Sequence, residues 1–166
     1  MAERVPLTIL KNLLNREEYT RKVLPFINAE YFDERTDRIV FEEISSFITR
    51  YDSLPLKEVL YIELEKRGDI TQDEFKTCEQ LVASLEPSDV DFQWAIDTTE
   101  EWCKERAIYL ALMESIKIAD GQNEKKGRDS IPSILSDALS VSFDNHVGHD
   151  YIDDYEDRFA YYHRVE

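Results

Sequence analysis

His146, His149, Asp150, Asp153 and Asp154 come nearest, by type and spacing, to a set of residues that could do chemistry. A histidine pair three apart with carboxylates beside it could supply ligands to a divalent metal. The segment also holds Gly148, and no second cluster elsewhere in the chain completes a site, so it is expected to be a polar connector that binds no metal. A nucleotide-binding loop needs Gly-x-x-x-x-Gly-Lys-Ser/Thr between a strand and a helix, so that backbone amides face the phosphates. The nearest approach here is Gly121 and Gly127 followed by Arg128, with five residues between the glycines and a helical pattern before them. The serines lack the context of a nucleophile elbow, and the three histidines all lie near the C-terminus. Carboxylate pairs are too common among thirty-six acids to mark a hydrolytic pair. No catalytic residue is expected.

Ile152, Tyr155, Phe159 and Tyr162 recur at i, i+3, i+7 and i+10, the pattern of a short helix with an aromatic face. Such a face could stack nucleic-acid bases. Its neighbours Asp153, Asp154, Glu156 and Asp157 would repel a phosphate backbone, so docking on protein is the expected use.

The elements that must position these residues read as helices throughout. Four glycines and five prolines punctuate long helical patterns, whereas strand-rich folds need a turn about every 8–12 residues. Leu7, Leu10 and Leu14 open a short helix after Pro6, and a second covers residues 16–24 before Pro25. Val40, Ile44, Phe47, Ile48 and Tyr51 give a third. Leu56, Val59, Leu60 and Leu64 give a fourth, with Gly68 expected as its left-handed stop. Thr71 and Glu74 form a capping box before Phe75, Cys78, Leu81, Val82 and Leu85. Ser88 is expected to cap a sixth helix running to about residue 120, some 45 Å long at 1.5 Å per residue. That exceeds the diameter of a small head domain, so part of the helix is expected to project. After a charged turn, Ser130 and Pro132 open a seventh helix striped by Ile131, Ile134, Leu135, Ala138 and Leu139. The expected architecture is all-α: a compact helical head at 1–90, a protruding antiparallel helical hairpin at 91–143, and an acidic connector with a short C-terminal helix at 144–166.

The chain has 166 residues, 42% hydrophobic, enough for a packed core. Its net charge of −16 disfavours nucleic-acid binding, which draws on clustered cations; the nearest such cluster, Lys125, Lys126 and Arg128, is short and interrupted by Gly127. Cys78 and Cys103 have no metal spacing and read as reduced core thiols. The start lacks the apolar run of a signal peptide, and no stretch approaches the roughly 18 apolar residues of a membrane span. A soluble protein that works where it is made is expected.

The stretch 131–159 carries more than periodicity. It reads Ile131-Pro132, then Ala138-Leu139-Ser140-Val141-Ser142-Phe143-Asp144, then Val147-Gly148-His149-Asp150 and Asp153-Asp154-Tyr155-Glu156. It resembles the N-terminal part of the replicative DNA helicases of T-even-type bacteriophages, a DnaB-like family. Weaker similarity reaches back through Arg106-Ala107, Glu30-Tyr31-Phe32 and Val23-Leu24-Pro25.

The resemblance implies six-membered rings around single-stranded DNA. Each subunit would have a helical N-terminal domain, a linker helix and a RecA-like motor, with the N-terminal domains paired through their hairpins into a collar. Carried onto this chain, it implies a homo-oligomeric contact on the hairpin, for which Trp102, Leu110, Met113, Ile131, Leu135 and Leu139 are the candidates. It makes 151–162 the linker helix, docking through Ile152, Tyr155, Phe159 and Tyr162. It also implies primase and a helicase-loading protein as partners, and the cytoplasm of the infected bacterial host as location. The chain ends at Glu166 before any phosphate loop, so the ATPase motor, with its ATP and magnesium, is expected to be missing. Neither ATP hydrolysis nor direct DNA binding is then expected of this chain. The competing reading is a free-standing acidic adaptor or DNA mimic, which the −16 charge would suit.

Overall fold

The computed structural model describes residues 4–122 and 125–143. These form seven α-helices with short 3-10 turns and, among the described residues, no strand. The all-α expectation holds. The expected linker helix, its docking residues and the His146–Asp154 cluster lie outside the described residues. The chain divides into two compact units, Met1–Trp102 and Cys103–Glu166.

In the first unit, α1 (Val5–Asn15) buries Ile9, Leu10, Leu13 and Leu14. α2 (Glu17–Val23) has acids in its first turn and Arg21 and Lys22 in its last, which complements the helix dipole. Pro25 ends it in a 3-10 turn, Leu24–Phe26. α3 (Arg35–Tyr51) packs on α4 (Lys57–Glu65) and α5 (Gln72–Ala83). The core is built from Tyr19, Phe32, Ile44, Leu60, Cys78 and Leu85, all essentially inaccessible. Phe32 is central to it, with ring centroids 5.0 Å from Phe41 and 4.9 Å from Trp102. Burial pushes the Cys78 thiol up to about 11, which fits an inert core cysteine. The long helix α6 (Phe92–Ala119) gives its opening turns to this unit. They are tied down where Arg16 donates to the Val90 carbonyl at 2.8 Å and stacks over Phe92.

The second unit holds the rest of α6 and α7 (Ile131–Leu139). α6 ends in a Schellman turn: Gly121 takes φ +76°, Gln122 N–H reaches Lys117 O at 2.9 Å, and Gly121 N–H reaches Ile118 O at 3.0 Å. Beyond it the chain returns toward the helix. Lys126 Nζ lies 2.8 Å from Glu114 Oε2, and Arg128 donates to the Ala119 carbonyl at 3.1 Å.

The helix punctuation differs from expectation in four places. Gly68 is not left-handed, because α4 closes through Lys66 in a right-handed turn; the left-handed residues among those described are Asp52, which ends α3, and Gly121. Asp91 rather than Ser88 caps α6, its Oδ2 accepting from Trp94 N–H at 2.9 Å, while Ser88 Oγ accepts from Val90 N–H two residues on. Ser130 makes no side-chain cap: its hydroxyl donates to Gly127 O at 2.7 Å, because the chain enters α7 through a 3-10 turn, Arg128–Ser130. Leu56 precedes α4 and is exposed instead of joining its buried face. The Thr71–Glu74 capping box is present, with both bonds formed.

Candidate interaction surface

α6 is apolar on more than one side. Within the second unit, Cys103, Ala107, Ala111 and Ile118 are buried. On another side of the helix Tyr109, Leu112, Met113 and Ile116 recur at i, i+3, i+4 and i+7 and are 49%, 48%, 39% and 53% exposed. These four share one stripe about two turns long, with side chains three and four apart in contact along the helix. Arg106 leans over the ring of Tyr109, 4.8 Å from its centroid, and adds a cation–π contact at the stripe's N-terminal end.

The six residues expected at an oligomer contact fall into two places. Trp102 is buried in the first unit, packed on Phe32 and edge-on to Tyr31 at 6.0 Å. Leu110, Met113, Ile131, Leu135 and Leu139 are in the second unit. Of these, Met113 lies on the exposed stripe, Leu139 is 69% exposed, and Leu110, Ile131 and Leu135 are half-buried. Tyr109, Leu112 and Ile116 were not singled out from sequence. Their spacing was readable, but apolar residues on the helix's other sides make a second stripe hard to separate from the first.

The first unit has its own concavity, a groove of about 390 Å³ between α2 and the end of α3, lined in part by Leu24, Pro25, Ile48 and Leu54. Arg21 holds its rim, 2.7 Å from Glu17 Oε2 and 3.5 Å from Asp52 Oδ1. Elsewhere in the unit, Arg67 forks to Glu42, Glu43 and Asp69 at 3.1, 2.8 and 2.8 Å. This network holds the α4–α5 connection to α3, and through it Arg67 lowers the pKa of Asp69. Among the described residues no group of three His, Cys, Asp or Glu side chains is placed to hold a metal ion, and no helix is long and apolar enough to cross a membrane.

Among the described residues the fold and surface define an all-helical module with an exposed apolar helix face. No family model matches the chain. It is similar to a DnaB-like replicative helicase of Enterobacteria phage T4, with 34% identity over 162 residues. The match covers 93% of this chain and 34% of the phage T4 protein, so the chain spans about a third of the length of that relative. The resemblance seen in residues 131–159 is thereby borne out along nearly the whole sequence.

Proposed function

We propose that this chain is the N-terminal assembly domain of a phage replicative helicase, pairing with further copies of itself and offering its outer surface to replisome proteins. The observation that carries this reading is the stripe Tyr109, Leu112, Met113 and Ile116, half-exposed on a helix that is buried on its other side. An isologous contact between two such stripes covers both at once, and it is the commonest way for a chain to hide an apolar face of its own. The T4 relative supports the context, a replicative helicase. In this reading α6 and α7 form the hairpin, with the Lys126–Glu114 and Arg128–Ala119 contacts turning the chain back along α6.

Completing the burial of four half-covered side chains contributes roughly 1 kcal/mol each, and ordering costs offset part of it. Pairing of the isolated chain is therefore weak, with a Kd between about 1 µM and 1 mM. In this reading residues 1–166 carry assembly, and ATP turnover is the work of a motor domain outside them. Primase and a helicase loader are the expected partners, in the host cytoplasm. Light scattering across a concentration series tests the reading. Mass rising from one copy toward two supports it, and a constant monomer mass up to millimolar protein would remove it. A free-standing DNA mimic would stay monomeric and bind a basic protein in a salt-sensitive way.

A further inference from the structure

The groove between α2 and the end of α3 has no part in the self-pairing proposed above. Its volume of about 390 Å³ falls within the range of ligand-binding clefts, roughly 300–1,000 Å³. Its apolar wall comes from Leu24, Pro25, Ile48 and Leu54, and the charged residues lining it are Glu17, Arg21 and Asp52. Arg21 is committed chiefly to Glu17, whose Oε2 accepts from its Nε at 3.0 Å and its Nη2 at 2.7 Å. The Asp52 carboxylate lies 3.5 Å from Arg21, beyond the length of a charge-assisted hydrogen bond, about 2.7–2.9 Å, and is 85% exposed. It stands where α3 ends. The Asp52 N–H closes the last turn on Ile48 O at 2.8 Å, so the negative end of the helix dipole adds to the carboxylate's charge.

These charges select the occupant. An anion would meet two carboxylates and a helix C-terminus, with Arg21 already bound to Glu17, which disfavours phosphate and nucleic acid. A cation is drawn to Asp52, and the first unit, with 23 acids and 12 Lys and Arg over residues 1–102, adds an attractive field of net charge −11. Tyr51 and Leu56, at the two ends of the connection that contributes Asp52, Ser53 and Leu54 to the groove, are exposed. Apolar surface therefore continues past the lip, which suits a segment of protein better than a small molecule. Ile48 and Asp52 are one turn apart, about 6 Å along the axis. A helix with aliphatic side chains and a base one turn away matches that spacing. We propose that this groove docks a basic amphipathic helix of a partner protein, seating its aliphatic side chains against Leu24, Ile48 and Leu54 and a lysine or arginine against Asp52. The proposal deepens the partner-binding part of the reading above by giving it a surface and a partner chemistry, and it does not depend on self-pairing.

The test titrates the whole chain, labelled with ¹⁵N, with a synthetic amphipathic helix of about 15 residues carrying leucines on one face and lysines beside them. Two controls replace its lysines with Glu or its leucines with Ser. Saturable shift changes are expected at residues 17–25 and 45–54 with the parent peptide and with neither control. Asp52→Asn removes the charge while keeping a residue that tolerates the left-handed backbone, φ 54°, at this position. It is expected to weaken binding about threefold at low salt and not at 1 M salt. E17Q/D52N leaves Arg21 unopposed in the groove, so it is expected to weaken the lysine peptide about tenfold and to let the Glu peptide bind. No saturable shifts, shifts centred elsewhere, equal binding of the Glu peptide by wild type, or E17Q/D52N unchanged would each overturn the proposal. Concentration-dependent shifts at the same residues without peptide would make a second copy the occupant and overturn it too. A chain that self-pairs while its groove ignores the peptide loses this proposal and keeps the assembly reading; a monomer whose groove binds the peptide does the reverse.

Discussion

The Tyr19 hydroxyl lies 2.6 Å from Thr99 Oγ1, joining two buried residues eighty positions apart. Thr99 spends its own proton on the Ala95 carbonyl at 2.7 Å, so Tyr19 is the donor and Thr99 Oγ1 the acceptor. The bond fixes the first turns of α6 to α2.

That assignment gives an ordered pair of mutational effects. Tyr19→Phe removes a donor and leaves the Thr99–Ala95 bond in place, at a cost of about 1 kcal/mol. Thr99→Val takes the acceptor from a buried hydroxyl, at about 2 kcal/mol, toward the upper part of the range for such losses. Denaturant midpoints of the two variants check this. Equal costs, or a costlier Tyr19→Phe, would mean the proton sits the other way round.

Glu74 predicts a pH dependence of known sign. The Thr71 backbone N–H first, and then Arg35, hold its carboxyl below the usual carboxylate range. A depressed folded-state pKa contributes stability above the unfolded-state value, near pH 4, and that contribution is lost as pH falls through the folded value. The chain's −16 charge adds its own pH dependence, so the useful quantity is the difference in Tm between wild type and Glu74→Gln. Wild type should lead by a constant margin from pH 7 to about 5 and lose that lead progressively below pH 4. A margin that grows on acidification would contradict the capping-box assignment.

Two glycines should respond in opposite ways to alanine. Gly121 has φ +76° and open space where a Cβ would sit, so Gly121→Ala costs about 1–2 kcal/mol through backbone conformation alone. Gly68 also has open space but no positive φ, so Gly68→Ala is neutral or stabilising by up to about 1 kcal/mol. Thermal melts of the two variants read this out directly, and a destabilised Gly68→Ala would restore the left-handed stop that the structure does not show.

How much of this was legible in the sequence depended on what kind of signal each residue carried. Helices were readable because α3 and α5 repeat their apolar residues at helical spacing, and the capping box was readable because it is local: Thr71 and Glu74 need only each other. Helix ends were harder. Ser88 and Asp91 are both competent caps three residues apart, and the choice falls to Asp91 because Arg16 fixes the backbone at Val90, a contact seventy-four residues away in sequence. Trp102 was a candidate for the contact between copies, yet it packs beside Tyr31 and Phe32, residues of the segment before α3 some seventy positions away in sequence. The stripe at Tyr109, Leu112, Met113 and Ile116 was hidden for a different reason. When a helix is apolar on several sides, only burial in three dimensions shows which side remains uncovered.

The central claim is that this stripe is a contact between copies, and sedimentation equilibrium of wild type beside Leu112→Glu and Ile116→Glu tests it most directly. Each variant buries an unpaired carboxylate if the contact forms, and adds only a solvated charge to the monomer if it does not. Wild type is predicted to follow a monomer–dimer isotherm at high micromolar concentration. Both variants should remain monomeric there, with the circular dichroism of wild type and an unfolding stability within about 0.5 kcal/mol of it, as expected for a surface substitution. Variants that dimerise as wild type does, or a wild type that sediments as a monomer throughout, would contradict the account.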